Sequence, residues 1–189
     1  MPALTPFYQL VKARRSIRKY ENRPVEREKI LACIEAARLA PSAENLQPWR
    51  FFVLDQPQPI EAFSNVVFTG IYRPTRWAAS APVLVTLFAK MDVLVNRLGR
   101  FVQGTQYYLL DLGIAGEHFV LQAQELGLGT CWIGWFHAQK ARKFFRLSSN
   151  YRAVAILSVG YSSHLPSRKR RLLEVEEIVR FNPGTNIKS

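Results

Sequence analysis

Apolar residues recur in three stretches of this chain at the three-to-four-residue spacing of an amphipathic helix. The spacing predicts a first helix from about Thr5 to Ala13 and a second in "EREKILACIEAARLA", which stops at Pro41. A long third helix is predicted in "YYLLDLGIAGEHFVLQAQELGLG", which Gly127 and Gly129 end. Its small residues would let another helix approach closely, so we expect it to be the central helix of the core or of a dimer.

Shorter apolar runs, rich in β-branched and aromatic residues, predict three strands. They are "WRFFVL", "APVLVTLFA" from Ala81 to Ala89, and "YRAVAILSVGY". Short helices are predicted at residues 61–67 and near residues 139–145, and the tail contains an amphipathic segment, "LEVEEIVRF". Helices and strands do not alternate as regularly as in a doubly wound sheet, so the pattern favours an α+β fold.

Length and composition favour a single domain over residues 1–189. Hydrophobic residues make up 48% of the chain, enough for one substantial core, yet no apolar run approaches the roughly 18–20 residues of a membrane span. Arg14 and Arg15 interrupt the N-terminus before a signal-peptide apolar region can form, so we expect a cytoplasmic protein without a membrane partner. Cys33 and Cys131 lack partners at metal-ligand spacing, which argues against a disulfide framework or a structural zinc.

The formal net charge of +12 is concentrated in two short clusters. One contains Arg14, Arg15, Arg18 and Lys19, the other is "RKRR" at residues 168–171, and together they supply eight of the twelve charges. Clustered cations favour anion-binding sites, while a solvated basic face is the alternative that the clusters alone leave open.

The first cluster lies in "RRSIR", which we expect to be extended. Side chains alternate faces in an extended segment, so Arg14, Ser16 and Arg18 would share one face, and Arg15 and Ile17 the other. Guanidinium groups present planar paired donors and the hydroxyl adds a short neutral one. That face therefore suits a phosphate or another polar anion.

Several catalytic classes lack their motifs in this sequence. The glycines at 127, 129 and 134 do not form the Gly-x-Gly-x-x-Gly dinucleotide fingerprint, and there is no Gly-Lys-Ser/Thr phosphate loop. His118, His137 and His164 are neither beside a serine elbow nor at metal-binding spacing. Chemistry would then come from a bound cofactor. Flavin mononucleotide (FMN) fits, because it has one phosphate, a polyhydroxyl chain and a planar ring.

Four segments, in this order, resemble the nitroreductase family of FMN-dependent oxidoreductases. They are "RRSIRKY", "APSAENLQPWRFFVL", "DLGIAGEHFVLQAQELGLGTCWIG" and "SVGY" followed by basic residues. The resemblance implies an α+β sandwich with a mainly antiparallel central sheet flanked by helices, in an intertwined homodimer with FMN at the subunit interface. It also implies reduction of FMN by NADH or NADPH, followed by a ping-pong transfer to a nitroaromatic, quinone or similar acceptor.

The resemblance also implies which residues hold the flavin. Arg14 and Ser16 would contact its phosphate and ribityl chain, Arg18 would approach the pyrimidine edge, and Arg15 belongs to the same cofactor-binding segment. Ile133 and Gly134 would place backbone groups near flavin N5. The loop residues expected against the flavin bound mainly by the other subunit are Pro41, Ser42, Ala43, Asn45 and Gln47.

Two further groups of residues are candidates on weaker grounds. Lys169 and Arg171 form the expected phosphate pair of the tail, with Arg168 and Arg170 as alternatives because alignment within "RKRR" can shift. Arg76 has two interpretations, one at the pyrimidine edge and one on the surface. Four aromatic residues could stack on a planar substrate, although such residues more often belong to the core: Phe68, Tyr72, Tyr107 and Tyr108.

Other functions remain open on the sequence alone. The same fold could bind or sequester flavin without turnover, or perform specialised flavin chemistry such as dehalogenation. A basic nucleic-acid-binding domain is a further alternative, although no nucleic-acid module is visible and we expect no nucleic-acid partner.

Overall fold

A four-stranded antiparallel sheet forms the centre of the fold. A computed structural model of the chain describes residues 5–91, 105–164 and 171–181. The strands lie in the order β1-β2-β4-β3, and each neighbouring pair is antiparallel. Their bounds are β1 Trp49–Leu54, β2 Val83–Lys90, β3 Gly129–Ile133 and β4 Tyr151–Gly160.

Six α-helices and two 3₁₀ helices surround the sheet in the described residues. The α-helices are α1 Pro6–Ala13, α2 Arg27–Arg38, α3 Pro57–Val67, α4 Tyr107–Glu125, α5 Ala138–Phe144 and α6 Val175–Ile178, and the 3₁₀ helices are Ala43–Asn45 and Gly70–Ser80. Local chemistry explains where two of these helices begin. Thr5 caps α1 by accepting the Tyr8 N–H at 3.2 Å, and α1 and α3 both begin with a proline, whose missing N–H costs nothing there.

The central strand β2 is buried on both faces, so the core has two layers of side chains. Val85 and Leu87 lie in the layer that α2 and α4 cover, where Phe119 of α4 is fully buried. Leu84 and Phe88 lie in the opposite layer with Phe63 of α3 and residues of α5. Alternate residues of one strand thus fill both layers.

The segment after α1 adds a short extended piece at the β3 edge. Ser16 forms a parallel bridge with Thr130, and the Ile17 N–H donates to the Thr130 carbonyl at 2.8 Å. Tyr20 fixes the far end of this segment, because its hydroxyl donates to the Ile17 carbonyl at 2.7 Å and lies 2.8 Å from Ser158 Oγ. The extended conformation predicted for "RRSIR" therefore corresponds to pairing with β3.

The predicted fold class, α+β with an antiparallel sheet between helices, is confirmed. All three predicted strands and the long helix are present, and α3 begins four residues earlier than predicted, at Pro57. One strand, β3, was not predicted. Gly116 of α4 faces the Trp132 indole of β3, where a Cβ would overlap the ring, so at that position close approach serves a strand and not another helix. Within the described ranges, no helix is both long and apolar enough to cross a membrane.

Candidate functional site

Three side chains of the N-terminal segment influence the pKa of the Cys131 thiol in β3. Burial raises the pKa of Cys131, while Arg18, Ser16 and Arg14 each act to lower it through charge or hydrogen bonding. Ser16 is anchored next to Cys131 along the strand, because it forms the parallel bridge with Thr130. Arg14, Ser16 and Arg18 are the three residues that alternation in the extended segment predicts on one face, and they combine two guanidinium groups with one hydroxyl.

Glu117 of α4 holds Arg14 in this group. The Arg14 Nε lies 3.7 Å from Glu117 Oε1, and the Trp132 Nε1–H donates to Glu117 Oε2 at 3.3 Å. One carboxylate therefore connects the N-terminal segment, α4 and β3. Arg15 points elsewhere, because its Nη1 donates to the carbonyls of Lys12 at 2.6 Å and Arg14 at 3.0 Å, at the end of α1. The structure thus does not bring the Arg15 guanidinium to the shared face.

Arg18 and Arg76 have different surroundings. The Arg18 guanidinium carbon lies 5.8 Å from the centre of the Trp77 ring, within reach of a cation–π contact. Arg76 Nη2 donates to Glu61 Oε1 of α3 at 2.8 Å, and its side chain is 38% exposed. Of the two interpretations of Arg76, this ion pair supports the surface one.

An exposed glycine, Gly134, and an exposed tryptophan, Trp135, follow β3. Ile133 is buried and ends the strand, whereas Gly134 is exposed and a Cβ built on it would meet no atom within 4 Å. Trp135 is 53% exposed but fixed, because its Nε1–H donates to the Ile71 carbonyl at 2.8 Å and its ring lies 5.3 Å from that of Tyr72. An open backbone position therefore borders a rigid aromatic surface.

The loop of residues 42–47 is internally bonded and strained. Ser42 Oγ accepts the Gln47 N–H at 2.9 Å, and the Gln47 side-chain amide donates to Asn45 Oδ1 at 2.9 Å. Three of its residues have left-handed backbone angles: Glu44 at φ 52°, Asn45 at φ 55° and Gln47 at φ 47°. Pro41, which precedes the loop, is exposed. Strain at non-glycine residues on an exposed loop is typical of a functional element.

This loop and the N-terminal segment lie toward opposite edges of the sheet. The loop runs through Pro48 directly into β1, whereas Ser16 pairs with β3. At about 4.8 Å between neighbouring strands, the two edge strands are roughly 14 Å apart. Within one chain, the structure therefore does not bring Pro41, Ser42, Ala43, Asn45 and Gln47 next to Arg14 and Ser16.

A cleft of about 270 Å³ opens between the loop and the start of α4. Its lining includes Gln47, Arg50, Lys90, Tyr107, Tyr108 and Asp111. The four aromatic candidates thus separate: Tyr107 and Tyr108 line this cleft, Tyr72 packs on Trp135, and Phe68 is 1% exposed within the core. Core burial excludes Phe68 from stacking on a bound substrate.

The comparisons with known proteins agree with this architecture. A solved nitroreductase family protein from Clostridium difficile 630 is 31% identical, with a TM-score of 0.76 over 92% of this chain and 96% of that one. An FMN-dependent nitroreductase from Clostridium difficile R20291 is 29% identical, with a TM-score of 0.73 over 92% and 97% of the two chains. An Archaeoglobus fulgidus protein with the provisional name NADH dehydrogenase/NAD(P)H nitroreductase is 29% identical, over 93% of this chain and 92% of its own length.

The sequence model described as the Nitroreductase family matches residues 11–161. This chain belongs to the nitroreductase family. The prediction of an NAD(P)H-dependent oxidoreductase of this flavoprotein family is thereby confirmed. The match ends at Tyr161, before the second basic cluster.

Of the tail residues predicted to contact the phosphate, the structure describes only Arg171. Arg171 is exposed at the start of the described segment 171–181, and Lys169 lies outside the described residues together with Arg168 and Arg170. The assignment of the tail's phosphate ligands therefore stays a prediction.

Three residues of the candidate site were not singled out from the sequence. Glu117 and Asp111 are carboxylates in the otherwise largely apolar α4 segment, and that contrast could have drawn attention to them. Asp111 is 4% exposed; burial raises its pKa, and the Ala43 N–H, which it accepts at 2.9 Å, acts in the opposite direction. Trp135 follows Gly134 directly, but its exposure has no sequence signal.

Proposed function

We propose that this protein is a homodimeric, FMN-dependent NAD(P)H oxidoreductase that reduces nitroaromatic, quinone or similar small-molecule acceptors by a ping-pong mechanism. Bound FMN would supply the redox chemistry, accepting hydride at N5 from NADH or NADPH and passing electrons to the acceptor. The work of the chain is to bind the flavin, stabilise its negative charge and shape the space above it.

The arrangement of Arg14, Ser16 and Arg18 along the β3 edge carries this proposal: Ser16 is bridged to Thr130, Arg14 pairs with Glu117, and Arg18 lies over Trp77. The donors fit the flavin: Arg14 offers a charged guanidinium and Ser16 a neutral hydroxyl to a phosphate, and a second cationic group, Arg18, lies further along. Arg18 would stabilise the negative charge that a reduced flavin ring carries at its pyrimidine edge. Neutral ligands would gain little from so much positive charge.

The backbone after β3 supports hydride transfer at a flavin placed there. Gly134 exposes its backbone with open space in front of it, so a planar ring could approach closely at this point. Trp135 offers a fixed aromatic surface beside that space, suited to planar acceptors or to a nicotinamide. The nitroreductase names of relatives agree with acceptors of this kind.

The separation of the two predicted contact groups supports a dimer. If both the 42–47 loop and the Arg14 segment contact FMN, the two must come from different subunits or be bridged across a sheet about 14 Å wide. A second copy would supply the loop from outside the subunit that contributes Arg14. We therefore place one FMN at each of two equivalent interface sites.

The visible absorbance spectrum of the purified protein, taken before and after FMN addition and desalting, tests the cofactor. We expect flavin bands retained at about one FMN per chain. Stopped-flow mixing with NADH and NADPH should then bleach the bands within the time of turnover. Bands that persist would leave a flavin-sequestering protein, and a colourless protein that retains no FMN would remove the proposal.

Variants locate the flavin on the chain. Arg14→Ala and Arg18→Ala should each weaken FMN binding about tenfold or more, because each removes a charged donor or counter-charge. Arg38→Ala is the matched control, since Arg38 pairs with Glu35 on the exposed side of α2. Unchanged FMN affinity in both test variants would show that the flavin binds elsewhere.

A further inference from the structure

Asp111 is a buried carboxylate that the proposed chemistry does not use. It lies in the first part of α4 with 4% of its surface exposed, and it faces the cleft beside the 42–47 loop. Its Oδ1 accepts the Ala43 N–H at 2.9 Å. A buried acid is costly to keep unless it does something that an apolar residue cannot, and here it holds backbone of another element.

The loop that Asp111 holds needs an external support. Glu44, Asn45 and Gln47 all have positive φ values, a left-handed conformation that is unfavourable for Glu44 and Gln47 in particular. The loop is largely exposed, and the open cleft beside it provides little packing to offset that strain. A charge-assisted hydrogen bond from α4 to Ala43, the first residue of the 3₁₀ turn, fixes the loop where the strained residues begin.

We infer that Asp111 is a positioning residue that acts in trans: in one subunit it holds the 42–47 loop in the conformation that completes the flavin site of the other. The inference rests on the proposed interface site for FMN. It adds to that proposal a residue that touches neither flavin nor acceptor and a direction of action across the dimer. Arg14 binds the flavin from its own subunit, and Asp111 serves the flavin of its partner.

Replacement of Asp111 separates this role from a purely structural one. Asp111→Leu removes the acceptor and a buried carboxylate together, so the lost hydrogen bond and the relieved burial of the acid oppose each other and we expect a melting temperature close to that of the wild type. FMN affinity should nevertheless fall about tenfold, because the loop loses its support. Asp111→Asn keeps an oxygen acceptor for the Ala43 N–H and should stay within about threefold of wild-type affinity. Glu125→Leu, at an exposed carboxylate further along α4, is the matched control.

A mixed dimer tests the direction of action. When one subunit carries Arg14→Ala and the other Asp111→Leu, trans action places both defects in one flavin site and leaves the second site intact. We therefore expect one FMN per mixed dimer at wild-type affinity, from differently tagged subunits purified in tandem and titrated by flavin fluorescence quenching. Action within one subunit would put one defect in each site and leave no wild-type site.

The outcomes are distinct from those of the proposed function. A wild-type protein that binds no FMN would refute the function itself. A wild-type protein that binds FMN, with Asp111→Leu equally tight, would refute the positioning role alone. If Asp111→Asn and Asp111→Leu both lost affinity in step with a fall in melting temperature, Asp111 would be a structural residue, and a mixed dimer without a tight site would refute the trans action.

Discussion

At the scale of single residues, a few polar side chains connect segments that lie far apart in the chain. Glu117 bridges Arg14 and Trp132, and Asp111 reaches from α4 to the loop before β1. Tyr161 forms a third connection at the end of β4: its hydroxyl donates to Glu26 Oε2 at 2.5 Å and accepts from Lys29 Nζ at 2.6 Å. Each is a specific polar contact in place of general apolar packing.

The Glu26 contact predicts how stability depends on pH. The Tyr161 hydrogen bond is the main cause that lowers the pKa of Glu26 from 4.5 to about 2 in the folded protein. Because the folded-state pKa lies below the unfolded one, the ionised carboxylate contributes stability above pH 4.5, and the contribution is lost as pH falls toward 2. Urea unfolding between these pH values should show a smaller pH dependence for Glu26→Gln than for the wild type.

Glu44→Gln is the control for this measurement, because Glu44 lies in an exposed loop at the other end of the sheet. Tyr161→Phe should reproduce the effect of Glu26→Gln, since it removes the same hydrogen bond from the other side. Equal pH dependence in the wild type, Glu26→Gln and Tyr161→Phe would show that the Glu26–Tyr161 hydrogen bond does not lower the pKa of Glu26.

At the scale of elements, periodicity predicted the helices and strands that have a local sequence pattern and missed the strand that depends on tertiary contacts. The α4 segment and the three apolar strands carry strong patterns, and all are present. The five residues of β3 show no alternation of apolar and polar residues. The strand depends instead on pairing with β4 and Ser16 and on the contact of Trp132 with Gly116, none of which can be seen in the local sequence. For the site, alternation in "RRSIR" predicted that Arg14, Ser16 and Arg18 share a face, whereas the contact of Arg14 with Glu117 and that of Ser16 with β3 follow from the tertiary structure.

The junction between the N-terminal segment and β3 gives the element-scale prediction. A Cβ on Gly129 would lie 2.7 Å from Ile17 Cγ1 and 2.9 Å from Ile17 Cβ, so Gly129→Ala should push the segment off the strand. We expect a loss of about 1–3 kcal/mol in the free energy of unfolding. FMN affinity should fall as well, because Ser16 and Arg18 flank Ile17.

A double-mutant cycle with Ile17→Ala checks the cause. Ile17→Ala removes the Cγ1 and Cγ2 atoms that the new methyl group would meet, so Gly129→Ala should cost less in that background. Urea unfolding of the four proteins measures the coupling. Strictly additive losses would mean that Gly129 matters for a reason other than contact with Ile17.

At the scale of the whole molecule, α4 presents an exposed apolar stripe that leads to the site. Leu110 is 55% exposed and Ile114 39%, and Gly113 between them has open space where a side chain would be. At 3.6 residues per turn, the next residue on this stripe is Glu117, which holds Arg14. A second copy that covered the stripe would therefore also reach the edge of the proposed flavin site. The net charge of +12 would in addition attract anionic FMN and NAD(P)H to the protein.

The stripe predicts that dimerisation and flavin binding are lost together. Ile114→Arg places a charge where the second copy would bury apolar surface, so the variant should elute as a monomer in size-exclusion chromatography with light scattering. It should keep the wild-type far-ultraviolet circular dichroism spectrum, because Ile114 lies outside the buried core. FMN affinity should fall at least about tenfold, since each site loses the loop of its partner.

Ile114→Val keeps an apolar side chain and should remain a dimer with FMN bound. A monomeric Ile114→Arg protein that still retains one FMN per chain at wild-type affinity would place the whole flavin site within one subunit and contradict both the interface site and the trans action of Asp111.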